Sequence, residues 1–384
     1  MNKKLFHRFP AIVDLKQRAK RRLPYFSWEY LDSGTGIEHC ISRNELALQN
    51  ITLLPRLMQG KKRASLDTEL FGIKYQAPFG IAPVGLTGLM WPGIEKFLAS
   101  TAESRGIPYC LSTVATETPE TIGPIVKGNG WFQLYPPSDS HIRKDLLTRF
   151  KEEGFTTLVV TADTPVQSQR ERQKRAGVSV PPKRGPKTWL SAALCPAWSL
   201  NTLQYGMPRF RTMEKYVDAK DISEIGAYMN ANMGTLDWEY LSETRKEWAG
   251  PMLVKGILSP VDARRCIEYG ADGVIVSNHG GRQFDGAPGA IDALPAIVTE
   301  LAGDGKIIFD SGIRGGLDIC RALALGADFV LLGRAFIYGA VALGQQGSDH
   351  VADLLTMDMN TNLANLGCTE IGNLNSYLNL QSTA

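Results

Sequence analysis

The sequence predicts an α/β fold, a closed (β/α)8 TIM barrel with an N-terminal helical extension and a long loop after the fourth strand. Three observations predict it. Short apolar, β-rich runs occur eight times from residue 78 onward. Helical segments lie between most of them. Nearly every run ends in a group able to hydrogen-bond or titrate. Strand–helix alternation builds a parallel sheet, and eight such units close into a barrel. A doubly wound open sheet is the alternative, but no GxGxxG follows the first run.

The elements follow in order. The first fifty residues read as helical: Pro10 opens a segment carrying Ile12, Val13, Leu15 and Ala19, and after Pro24 a short helix ends at Gly34. The eight runs are 79–83, 108–112, 131–135, 158–163, 252–256, 273–278, 307–312 and 329–333. Helical segments fall at 93–104, 142–153, 260–269, 294–301 and 317–325. The chain reads as one domain: residues 1–77 a helical cap, 78–345 the barrel, 346–384 a helical tail. Residues 166–251, between the fourth and fifth strands, far exceed the length of an ordinary connection. The charge-free stretch 75–94 contains three prolines and four glycines, which suits a buried strand and a loop rather than a spanning helix.

With 384 residues, 43% hydrophobic and 21% charged, the chain can bury a large core. Disorder, collagen and coiled coil fit poorly. The net charge of +3 is too mild to argue for nucleic acid. Two basic stretches, 1–22 at +7 and 170–187 at +6, stand out from an otherwise acidic body. They are either solvated surfaces or contacts for an anionic membrane face or acidic partner. The six cysteines show no CxxC pair and no zinc spacing, so reduced thiols in a cytoplasmic protein are expected, with no metal. The basic N-terminus lacks the apolar core of a secretory signal.

In a barrel of this kind the active site lies at the C-terminal ends of the strands. Those ends supply Pro83, Ser112, Gln133 with Tyr135, Thr161 with Asp163, Lys255, Ser277 with His279, Asp310, and Gly333 with Arg334. Eight polar ends together argue for a large polar ligand plus catalysis. After the last two strands come Asp310-Ser-Gly-Ile-Arg-Gly-Gly316 and Leu332-Gly-Arg334. Glycines and helix N-termini there suit a phosphate, and Arg314 and Arg334 add charge. The bland alternative for Gly312 and its neighbours is a tight turn. Of five histidines, only His279 sits at a strand end. Imidazole is the commonest general base, Asp163 can support its charged form, and Arg282 can hold a carboxylate in a fork.

These residues resemble the FMN-dependent α-hydroxy acid dehydrogenase and oxidase family. Ser-Asn-His-Gly-Gly-Arg-Gln-Phe-Asp-Gly (277–286) carries the resemblance, with 310–316 and 331–334 in support. The stretches 253–256, 132–135 and 161–165 fall in the family order, and the match runs over about residues 10–370. The resemblance implies FMN as cofactor and a small (S)-2-hydroxy acid, lactate-like or mandelate-like, as substrate. It implies His279 as base, supported by Asp163, with Tyr135 on the substrate hydroxyl. Arg282, Tyr30 and Arg170 bind the substrate carboxylate. Pro83, Val84 and Gly85 carry the flavin ring, and Lys255 stabilises its reduced form near N1. Ser112, Gln133, Thr161 and Ser277 bond its polar edge or ribityl chain. Asp310 holds ribityl hydroxyls; Gly312, Arg314, Gly333 and Arg334 serve the phosphate side. A homotetramer is also implied.

Two departures touch the expected substrate pocket. Val114 stands where glycolate oxidase-like members have tryptophan, and Val166-Gln-Ser-Gln169 replaces a basic, aliphatic run. Gly85 replaces the alanine common in oxidases, which favours a dehydrogenase passing electrons to quinone or a cytochrome. An oxygen-using oxidase releasing hydrogen peroxide is the alternative. An FMN barrel acting on isoprenoid diphosphates or nucleotides lacks the Asn-His-Gly-Gly-Arg pairing. A non-catalytic barrel binding membranes or nucleic acid is more remote. Residues 170–210 carry Trp189, Leu190, Leu194, Trp198 and Leu200 beside Lys183, Arg184 and Lys187. Such a segment suits either a membrane interface or a packed lid. The chain is expected in the cytoplasm, with peripheral attachment to the inner membrane face.

Overall fold

Eight parallel strands close on themselves. A computed structural model describes residues 2–58, 60, 64–178, 185–216 and 236–379. A hairpin, β1 (Thr68–Leu70) and β2 (Ile73–Tyr75), precedes the barrel. The barrel strands are β3 (Phe79–Ile81), β4 (Tyr109–Ser112), β5 (Gly130–Leu134), β6 (Thr157–Thr161), β7 (Met252–Ile257), β8 (Gly273–Val276), β9 (Lys306–Phe309) and β10 (Phe329–Leu332). Each pairs in parallel with its chain neighbour, and β10 returns to β3. All eight predicted runs are barrel strands.

The physical reason is the crossover helix. Helices Ile94–Arg105, Ser140–Glu152, Pro260–Glu268, Ala290–Leu301 and Gly316–Ala324 each bury one face on the barrel. Strands covered outside and packed inside read as continuous apolar runs. The interior is a separate core of Trp131, Val159, Leu253, Ile275, Ile308, Phe329 and their neighbours. The hairpin closes the bottom: Tyr75 accepts a hydrogen bond from Trp131 Nε1 at 3.2 Å and packs on Phe329. Burial pushes the Tyr75 hydroxyl up to about 12.

The N-terminal region is helical, as the sequence predicts, at Lys3–Arg8, Ile12–Arg22, Tyr25–Asp32 and His39–Asn50. Ile12, Leu15 and Ala19 face the core, whereas Val13 faces solvent. The stretch 75–94 holds β3 and then a short helix, Thr87–Met90, where a loop was expected. The described parts of 166–251 also carry helices, at Glu171–Arg175, Pro186–Ala193, Pro196–Tyr205 and Trp238–Glu247. Arg172 bonds Glu29 at 2.5 Å and Glu38 at 2.8 Å, tying this insertion over the N-terminal helices at the barrel mouth. All six cysteines are free thiols, and five are buried.

Candidate active site

The strand ends and the N-terminal segment line a cavity that opens to solvent. Its wall includes Tyr30, Pro83, Val84, Gly85, Val114, Gln133, Tyr135, Thr161, Arg170, Lys255, His279, Arg282, Asp310, Gly312, Arg314, Gly333 and Arg334. The expected residues that do not line it stand directly behind. Asp163 bonds His279, Ser112 donates to Gln133 Oε1 at 2.7 Å, and Ser277 accepts from Lys255 at 2.9 Å.

His279 begins the short turn His279–Gly281 after β8, at φ +58. A side-chain-bearing residue rarely adopts that conformation, and it persists only where surroundings enforce it. Here Ser277 Oγ accepts from the His279 amide at 3.0 Å, and Ser311 Oγ accepts from the Gly280 amide at 3.0 Å. His279 Nδ1 is 2.9 Å from Asp163 Oδ1. An ionised carboxylate only accepts, so Nδ1 carries the proton and Nε2 is the basic nitrogen. Tyr135 Oη lies 3.5 Å from Nε2. Burial depresses the imidazole pKa below 6.5 despite the Asp163 charge, with Lys255 and Arg170 adding to the depression. The Asp163 carboxyl stays below its ordinary value, because His279 and Lys255 outweigh its burial. Asp163 reaches this place because β7 bulges at Gly256. Gly256 has φ +101, and a Cβ there would meet the Asp163 side chain at 2.4 Å.

Lys255 is buried, yet Asp310 at 3.3 Å and Asp163 push it up to about 12. Arg282 is buried too, and burial with Arg170 brings it down to about 9, still charged at neutral pH. It donates to the backbone oxygens of Tyr30 at 2.8 Å and Ser33 at 3.2 Å, over the Tyr30 ring. Arg334 donates to Gly280 O at 2.9 Å and Ser33 O at 3.0 Å. Among the described residues no carboxylate ion-pairs with Arg282 or Arg334. Buried cations of this kind are costly without an anion. A cavity lined by Arg282, Arg314, Arg334 and Lys255 together with Gly85, Gly312 and Gly333 therefore fits FMN plus a carboxylate substrate. Arg170 donates to Ser168 and to Gln283 Oε1 at 2.9 Å. Tyr30 Oη donates to Gly85 O at 3.0 Å.

Several participants escape sequence reasoning. Asn278 and Asn44 are buried and exchange two hydrogen bonds, at 2.6 and 2.8 Å. Asn278 Oδ1 also accepts from the Gly281 amide at 3.2 Å. The helix His39–Asn50 thus braces the turn that carries the imidazole. Asn278 and Ser311 lie inside the quoted motifs, so position was the available signal; Asn44 carries none. Of the two departures, Val114 lines the cavity. Val166 does not; it is 75% exposed, and the run meets the site through Ser168, which donates to Arg282 O, and through Val166 O, which accepts from Gln283.

The membrane expectation needs one correction. Trp189, Leu190, Leu194 and Leu200 are exposed, but Trp198 is not. It packs edge-on against Phe26 and donates to Leu89 O at 3.2 Å. Leu203, not anticipated, is 81% exposed. Lys183 and Arg184 lie outside the described residues. Among the described residues no helix is long and apolar enough to cross a membrane.

Fold and site together define a flavin-dependent barrel oxidoreductase. Comparison with known proteins agrees. Residues 19–380 match the family model for FMN-dependent dehydrogenases. L-lactate dehydrogenase of Ectopseudomonas mendocina (strain ymp) is 40% identical over 383 residues, covering 96% of this chain and 98% of the relative. That of Stenotrophomonas maltophilia (strain R551-3) is 40% identical over 379 residues, covering 96% and 99%. Among solved structures, the monotopic membrane protein (S)-mandelate dehydrogenase superposes with a TM-score of 0.91 at 37% identity, covering 96% and 98%. The chain belongs to the FMN-dependent dehydrogenase family. It is an FMN-dependent oxidoreductase acting on 2-hydroxy acids.

Proposed function

We propose that this chain oxidises L-lactate or a mandelate-like (S)-2-hydroxy acid to the 2-oxo acid and passes the electrons to a quinone or cytochrome. One observation carries the reading: an Asp163-backed neutral imidazole and a buried Arg282 open onto the same cavity. The substrate carboxylate docks on Arg282, with Arg170 and Tyr30 beside it. Tyr135 bonds the substrate hydroxyl. His279 Nε2 takes the substrate proton, and Asp163 holds the ring and stabilises the charge it gains. Bound FMN supplies the two-electron acceptor for that substrate. Pro83, Val84 and Gly85 would carry its ring, Gln133, Thr161 and Lys255 its polar edge, and Asp310 its ribityl hydroxyls. Gly312, Arg314, Gly333 and Arg334 would hold its phosphate; Ser112 and Ser277 would hold Gln133 and Lys255 in place.

The test is the visible spectrum of the FMN-loaded protein, mixed anaerobically with L-lactate, L-mandelate or glycolate. Bleaching by L-lactate or L-mandelate is expected. Persistent flavin bands with both would defeat the substrate assignment. Turnover with a quinone analogue should exceed peroxide release in air; the reverse outcome would make the protein an oxidase.

The exposed apolar residues of helices Pro186–Ala193 and Pro196–Tyr205 support peripheral membrane attachment. Flotation with liposomes tests this, and no co-migration at low salt would count against it.

A further inference from the structure

The basic helix at the N-terminus plays no part in the site just described, yet it borders a second cleft. This cleft, open to solvent, is lined by Arg8, Phe9, Asp14, Arg18, Arg21 and Arg22, with Gln17 at its side. Four guanidinium groups meet one carboxylate there. Asp14 is occupied as a helix cap, accepting from the Ala11 amide at 3.0 Å. Among the described residues none of the four arginines ion-pairs with a carboxylate. Arg8 and Arg18 lie over the Phe9 ring at 5.4 and 5.7 Å, and Arg18 Nε donates to Ala342 O at 2.9 Å. Arg22 lies over the Trp91 ring at 4.6 Å, and its buried Nε has no hydrogen-bond partner.

The helix dipole accounts for cations in the last turn of Ile12–Arg22. It accounts likewise for Arg8, the last residue of Lys3–Arg8, but not for Arg18, a turn earlier and one i,i+4 step from Arg22. Like charges at that spacing oppose the helix. An orphaned donor inside a cluster of unpaired guanidiniums is the arrangement an anion completes.

The surroundings indicate which anion. Three residues beyond Arg22, the Tyr25 amide donates to Ser191 Oγ at 2.7 Å. Trp91, under Arg22, precedes Pro92, whose carbonyl accepts from Asn201 at 3.2 Å. The Arg22 end of the cleft is thus linked, through Tyr25 and through Trp91-Pro92, to the two helices that expose Trp189, Leu194, Leu200 and Leu203. Apolar side chains beside a cationic cleft match the two layers of a bilayer interface, acyl boundary and headgroup.

We propose that this cleft binds the phosphate of an anionic phospholipid headgroup while the neighbouring apolar helices lie in the membrane interface. The proposal rests on the membrane reading above, and its test separates the two. The FMN-loaded full chain is titrated with phosphatidylglycerol vesicles and with phosphatidylcholine vesicles. The variants are Arg8→Gln, Arg22→Lys and Leu194→Ser/Leu203→Ser; retained flavin absorbance and turnover report folding.

Wild type should prefer phosphatidylglycerol. Arg8→Gln should weaken that binding about fivefold, the effect of one cation near the surface. Arg22→Lys keeps the charge but loses the Nε donor, so a built site also predicts a drop, whereas diffuse charge predicts none. Unchanged binding of Arg22→Lys, or equal binding of the two vesicle types, overturns the headgroup site. If Leu194→Ser/Leu203→Ser alone abolishes binding, the membrane reading survives that loss. Absence of any vesicle binding overturns both. Inorganic phosphate quenching Trp91 fluorescence without a vesicle preference would identify a free-phosphate site and reject the lipid.

Discussion

His279 Nδ1 lies 2.9 Å from Asp163 Oδ1, across 116 positions of sequence and from strand ends separated by β7. The contact orients the ring and leaves Nε2 basic. Asp163→Asn should lower kcat about 100-fold or more, the scale of general-base catalysis. Steady-state kinetics with intact flavin absorbance checks this; a change within threefold would remove Asp163 from the mechanism.

The pH profile follows from the same pair. The folded imidazole is held below 6.5 by burial, so it is already neutral at pH 7. As pH falls through its depressed pKa it protonates, and the base is lost. The kcat/KM profile should therefore rise with pH and level off with an inflection below 6.5. Asp163 raises the imidazole pKa, so Asp163→Asn should move that inflection lower still. An inflection above 6.5 in the wild type would contradict the burial argument.

Arg282 is the buried cation assigned to the substrate carboxylate. Arg282→Lys keeps a charge but loses the fork and its bonds to Tyr30 O and Ser33 O. KM should rise by about tenfold or more, consistent with losing roughly 1.5–3 kcal/mol from a hydrogen bond to a charged group. Because those bonds also fix the 30–33 segment, kcat should fall as well. Unchanged KM would reassign the anchor to Arg170.

Asn44 does not itself line the cavity; it packs behind Gly312 and holds Asn278. Asn44→Ala leaves the buried Asn278 amide short of a partner and should cost about 1–3 kcal/mol in stability. It should also lower kcat while leaving KM nearly constant, since the imidazole turn loosens and Arg282 keeps its own anchors. Urea denaturation beside steady-state kinetics separates the two effects.

Gly85 is in van der Waals reach of Val114: a Cβ on Gly85 would stand 2.5 Å from Val114 Cγ2. Gly85→Ala should therefore destabilise by about 1–3 kcal/mol as an overpacked contact and slow reduction by substrate. The double change with Val114→Ala should recover most of both losses. No recovery would place the conflict elsewhere.

The barrel was legible in the sequence because each strand must be apolar on both sides and each crossover helix amphipathic. That pattern is local, and all eight strands were placed from it. The candidate site residues were legible for a related reason. A barrel puts its chemistry at strand ends, so His279, Lys255, Asp310 and Arg334 could be read off where apolar runs stop. What faces solvent within one helix was less legible. Trp198 and Leu203 both suit an apolar surface, and only packing against Phe26 and Leu89 buries the first and leaves the second exposed.

Sequence by itself determined the architecture and the cofactor class, and it singled out His279 as the candidate base and Arg282 as the candidate carboxylate anchor. Tertiary structure alone decided how they are held. Asn44 reaches Asn278 from 234 positions away, the bulge at Gly256 admits Asp163, and Ser311 accepts from Gly280. Strand and helix patterns arise from the spacing of neighbours along the chain. These hydrogen bonds and close approaches join elements that meet only after the barrel has closed, so no periodicity announces them.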